Sequence, residues 1–151
     1  MFILIASQFD ETAVVTCLDQ MRAQGIGVSL VGLLAGLLPG AFGLVVRPDL
    51  TLAELMPMVW PADDKVLIVI PGGWESAALL LSDPRVHEVC TAVGQAGGYV
   101  AVFAPAQQLF RQTHCVAELD EGYVMVQDGV ETAVFVQQVA AVALGENLMG
   151  R

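Results

Sequence analysis

The segment Gly98-Tyr-Val-Ala-Val-Phe-Ala-Pro-Ala-Gln-Gln-Leu-Phe110 constrains this chain most. Tyr99 to Phe103 is an apolar run without alternation, as expected of a strand covered on both faces. A helical pattern follows from about Pro105 to Gln112. A buried strand that turns at once into a helix belongs to an open α/β sheet. In such sheets that turn is where a nucleophile is displayed. The residue at this turn is Ala104, which carries no reactive group.

The rest of the chain repeats the same grammar. Residues 2–6 form an apolar run before the polar Ser7-Gln8-Phe9-Asp10-Glu11. Over residues 12–24, Val14, Val15, Leu18 and Met21 have helical spacing, and Gly25 supplies a stop. Residues 26–33 read as a second strand, 36–43 as turn-rich, 44–46 as a short strand and 51–58 as a helical turn. Lys65 to Ile70 is the clearest buried strand, and Pro71-Gly72-Gly73 ends it. Helices are predicted over 75–81 and 84–95, the second with Asp83 as its cap and Pro84 in its first turn. Short strands are predicted over 114–117 and 123–126, and a final helix over 130–144, with Gly145 beyond its end.

Strands that alternate with helices predict a mostly parallel sheet with helices on both faces. Right-handed crossovers then gather the loops 7–12, 71–75 and 104–106 at one sheet edge, where such sheets bind ligands. No repeat, linker or low-complexity stretch divides the chain, so residues 1–151 are expected to form one domain.

Composition narrows the partners. Hydrophobic residues make up 56% of the 151 and charged residues 15%, which suits a compact chain with a large core. The net charge of -10 and the single lysine, Lys65, argue against nucleic acid. Cys17, Cys90 and Cys115 are too few and too far apart for a disulfide framework or a CxxC metal site and fit a reducing cytosol. The start of the chain lacks the basic region and cleavage site of a signal peptide. Residues 31–38 are too short and too broken by glycine to span a bilayer. A cytoplasmic protein is expected. So much apolar surface on a short chain favours a homo-oligomer, most simply a dimer.

Several segments together resemble one family. Residues 3–6 followed by Phe9-Asp10-Glu11-Thr12-Ala13 are similar to the first strand and acidic loop of the ThiJ/PfpI family. That family lies within the class I glutamine amidotransferase-like superfamily and includes the parkinsonism-linked protein deglycase, glyoxalase-type enzymes and isonitrile hydratases. Val45-Val46-Arg47-Pro48-Asp49, the Pro71-Gly72-Gly73 turn, the strand 98–103 and the helix 135–145 continue the likeness in order. The resemblance implies a flavodoxin-like three-layer sandwich, shortened after the helix that follows Ala104. It also implies a catalytic cysteine at position 104 and a partner glutamate at position 13, where this chain has Ala104 and Ala13.

The residues therefore point to a non-catalytic relative that binds a small molecule or acts through oligomerisation. The expected pocket lining is Asp10, Glu11, Ala13, Gly72, Gly73, Trp74, Ala104 and Pro105. The Gly72-Gly73 amides offer a carbonyl or anion site, or form a plain turn that needs glycine. Trp74 lines the pocket or covers the sheet edge. The alternative is a hydrolase, lyase or glyoxalase-type enzyme that works without cysteine, with Glu11, Asp10, His114 or Cys115 as its reactive groups. Adjacent residues on a strand point to opposite faces, which counts against His114 and Cys115 acting as a pair. Cys17 and Cys90 fall within helical patterns and read as core thiols. Asp10 and Glu11 also occupy the place of a response-regulator acidic pair. That reading lacks an aspartate at the end of the central strand, where Ile70-Pro71 stand, and any later lysine. No metal site and no cofactor are expected, since neither ligand spacing nor a phosphate-binding glycine fingerprint is present.

Overall fold

The computed structural model describes residues 1–58, 60, 65–113 and 123–145. Its elements run β1 (Phe2–Ile5), α1 (Glu11–Ala23), β2 (Ser29–Gly32), β3 (Leu38–Pro39), β4 (Val45–Val46), β5 (Leu50–Thr51) and α2 (Leu52–Leu55). They continue with β6 (Leu67–Ile70), α3 (Trp74–Leu81), α4 (Pro84–Gln95), β7 (Tyr99–Val102), α5 (Ala104–Arg111), β8 (Val124–Val126) and α6 (Thr132–Ala143). The strand predicted over 114–117 lies outside the described residues.

Among the described residues, six strands form one sheet in the order β5-β2-β1-β6-β7-β8, and each of these pairings is parallel. Helices cover both faces, as a flavodoxin-like α/β sandwich requires. The strands feed the two faces alternately. Ile68 and Ile70 join a core with Leu80, Val86, Val89 and Phe110 of α3, α4 and α5. Leu67 and Val69 join the opposite core with Val14, Met21, Phe135 and Val139 of α1 and α6. All four residues of β6 are fully buried, which is why the strand reads as an unbroken apolar run.

The predicted helix signals hold at α4. Asp83 caps it by accepting from the Arg85 amide at 2.9 Å, with Pro84 in the first turn. The turn-rich stretch 36–43 contains a small element that the patterning did not resolve. β3 and β4 pair antiparallel as a separate two-stranded hairpin. Two-residue strands are too short to carry a period.

The order of the strands places the site. From β1 the sheet grows outward to β2 and β5 on one side, and to β6, β7 and β8 on the other. The crevice outside the carboxyl ends of β1 and β6 is the switch point where ligands of such sheets bind. Among the described residues, no helix is long and apolar enough to cross a membrane.

Candidate functional site

Three loops meet at the switch point. The Asp10 amide donates to the Gly72 carbonyl at 3.0 Å, which ties the β1 loop to the β6 loop. A Cβ on Gly72 would lie 2.7 Å from Cγ of Pro105, and one on Gly73 would lie 2.7 Å from the Gln8 carbonyl oxygen. Both glycines are needed for close approach, and Gly73 also has a left-handed φ of 97°. The loops expected to converge are therefore packed against one another. Gln8, φ 68°, is the one non-glycine residue with positive φ among the described residues. It holds a costly backbone conformation at the rim of this cluster.

Ala104 sits beside Pro105 as the first residue of α5. It is exposed and helical, without the strained φ of a displayed nucleophile. The turn itself is the extended residue Phe103, φ -73° and ψ 155°. Pro105 has no amide hydrogen to satisfy, so it costs nothing in the first turn.

The Ala104 amide already has an acceptor. Gln127, just beyond β8, is 9% exposed, and its Oε1 accepts from Ala104 N at 3.0 Å. Its Nε2 donates to the Val130 carbonyl at 2.9 Å, and its backbone oxygen accepts from Nε2 of Gln107. Gln127 thus fastens the start of α5 to the approach to α6. Nothing in the sequence pattern marks it, because a lone glutamine in a turn has no periodicity, and its partner lies 23 positions away.

The two acidic candidates are engaged in local structure. Asp10 Oδ1 caps α1 by accepting from Ala13 N at 3.1 Å. Glu11 is engaged by the β3–β4 hairpin: its Oε1 accepts from the amides of Phe42 at 2.9 Å and Leu44 at 2.8 Å. Ala13 is buried in the core that includes Phe9 and Phe103. Trp74 is 59% exposed as the first residue of α3. Helix α3 has no side-chain cap at Gly73, which leaves first-turn amides beside the exposed indole. His114 and Cys115 lie outside the described residues.

Cys17 and Cys90 are buried in the two cores, as their helical positions predict. Burial pushes the Cys17 thiol up to about 12, so it is not a nucleophile near neutral pH. Among the described residues, no group of three His, Cys, Asp or Glu side chains is placed to hold a metal. The arrangement brings the start of α3, which has no side-chain cap, and the exposed Trp74 to the switch point, and its described side chains place no nucleophile or unengaged acid there.

The DJ-1/PfpI family model matches residues 1–135. No curated protein sequence matches the chain. Among solved structures, oxidized DJ-1 of Toxoplasma gondii superposes with a TM-score of 0.78 at 13% identity, over 96% of this chain and 90% of its own. DJ-1beta of Drosophila melanogaster gives 0.77 at 19% identity, over 95% and 89%. A cysteine-to-alanine mutant of a DJ-1 superfamily protein from Salmonella typhimurium gives 0.73 at 19% identity, over 97% and 91%. At such low identity these likenesses carry the fold.

Proposed function

The chain belongs to the DJ-1/PfpI family, and from that premise we propose that it is a non-catalytic, single-domain member that binds a small carbonyl or carboxylate compound and works as a cytoplasmic dimer. The observation that carries this reading is the state of position 104. It holds an alanine in a relaxed helical start, with its amide already bonded to Gln127. A thiolate mechanism needs a nucleophile at that place and a group to activate it, and Ala104 and Ala13 supply neither.

The acid–base alternative gains nothing from the described residues. Asp10 is spent on the cap of α1 and Glu11 on the hairpin. What remains at the switch point suits recognition. The uncapped start of α3 offers donors to a carbonyl or carboxylate oxygen, and Trp74 offers a surface for the rest of the molecule. The dimer rests on exposed apolar residues around the hairpin: Phe42 is 91% exposed, Val45 55% and Val15 48%. Val15 lies one turn beyond Glu11, which anchors that hairpin, so the three belong to one region. The buried thiols suit a reducing compartment.

The deciding experiment uses purified protein and a small α-oxoaldehyde such as methylglyoxal. The expected rate is that of buffer alone. Turnover above that rate, abolished by Glu11→Gln, overturns the non-catalytic reading. In parallel, Ala104→Cys should add one iodoacetamide-labelled thiol to the native-state count of the wild-type protein, since a helix start favours the thiolate. If the folded Ala104→Cys variant resists the label, the positional basis of the reading is removed.

A further inference from the structure

A second cleft lies away from the switch point, between the loop that follows β2 and the segment that leads into α2. Its volume is about 320 Å³, within the range of small-molecule sites. Its walls are braced from within. A Cβ on Gly32 would lie 2.8 Å from the Leu34 carbonyl oxygen and 2.8 Å from Cγ of Pro48, so glycine alone lets the two walls stand this close. Asp49 exchanges two hydrogen bonds with Leu30. Its amide donates to the Leu30 carbonyl at 2.9 Å, and its Oδ2 accepts the Leu30 amide at 2.8 Å. The cleft is therefore built before any ligand arrives.

Its chemistry is mixed in an informative way. Arg47 lines it and is exposed. It has no ion pair among the described residues, where Asp83 and Arg85 form the one salt bridge. Glu54 also lines it, with Oε1 held at 3.1 Å by the Thr51 hydroxyl. Leu34 and Leu37, 65% and 61% exposed, supply apolar surface. A purely anionic ligand would add a third negative charge beside Asp49 and Glu54, in a chain of net charge -10. A purely cationic ligand would leave Arg47 unmatched. A molecule that carries both charges and an apolar arm satisfies all three surfaces.

We propose that this cleft binds a free aliphatic α-amino acid, with its carboxylate on Arg47, its ammonium on Glu54 and its side chain on Leu34 and Leu37. Arginine grips a carboxylate through two parallel N–H donors, which gives direction as well as charge. The cleft shares no lining residue with the switch-point cluster, so this site stands or falls separately from the non-catalytic reading.

The test is a titration of the full-length protein with L-leucine, followed through backbone amide resonances. Saturable shifts are expected at Gly36, Leu37 and Thr51, with Gly73 and Ala104 unmoved. Glycine, which lacks the arm, 4-methylpentanoate, which lacks the ammonium, and leucinamide, which lacks the carboxylate, should each bind at least about tenfold more weakly. Arg47→Gln should weaken leucine by a similar factor without a change in melting temperature. The proposal is overturned if leucine produces no saturable shift, if 4-methylpentanoate binds as tightly, or if Arg47→Gln leaves leucine binding unchanged.

Discussion

Gln127 shows how much one side chain settles at the site. Its carboxamide accepts from Ala104 and donates to Val130, and its own amide donates to the Val102 carbonyl at 3.2 Å. Gln127→Leu keeps the backbone bonds and removes both side-chain ones. The expected cost is about 1–3 kcal/mol in denaturant unfolding, with faster hydrogen exchange at Ala104. Gln127→Glu should recover the Ala104 bond but set a carboxylate oxygen against the Val130 carbonyl, so it restores only part of the stability at neutral pH. Unchanged exchange at Ala104 in the leucine variant would rule out this clamp. The alanines at positions 13 and 104 were legible because residue identity is written in the chain. The occupant of the Ala104 amide was not, since it is set by the pairing of β7 with β8 and by no local pattern.

At the scale of elements, one Glu11 carboxylate oxygen joins α1 to the hairpin β3–β4, beside backbone bonds from the Gln8 amide to the Pro39 carbonyl and from the Ala41 amide to the Phe9 carbonyl. Glu11→Ala should release the Phe42 and Leu44 amides to faster exchange and cost about 1 kcal/mol, below the usual range for bonds to a charged acceptor because both are solvent-exposed. If neither amide exchanges faster, the tie contributes nothing. Gly40 belongs to the same joint, since a Cβ there would run into the Glu11 side chain. The sequence marked Glu11 as an acidic candidate for chemistry, and the structure uses it as a strut. A loop carboxylate looks the same in sequence whether it faces a pocket or a row of backbone amides. The long elements were plain for a different reason. β6 and β7 are buried on both faces and leave an apolar run, while α1 and α4 bury one stripe and leave a helical period.

At the scale of the whole molecule, Phe42, Val45 and Val15 are the part of the exposed apolar surface that the dimer proposal rests on. A stable interface buries about 800 Å² on each partner, and a charge at its centre is poorly tolerated. Phe42→Asp should therefore turn a dimer into a monomer in sedimentation or light scattering, with the fold intact. A monomeric wild-type protein would end the dimer proposal. The architecture itself was legible from the alternation of strands and helices, because parallel pairing and right-handed crossovers leave few ways to arrange them. The fastening of Ala104 by Gln127 also sets an order of assembly. A chain is made from its amino end, so Ala104 leaves the ribosome 23 residues before the side chain that secures it. Phe135, which meets Phe103 edge-on at 4.9 Å, comes later still. During synthesis the start of α5 is therefore made before the two residues that fasten it, and both are delivered by the segment that follows.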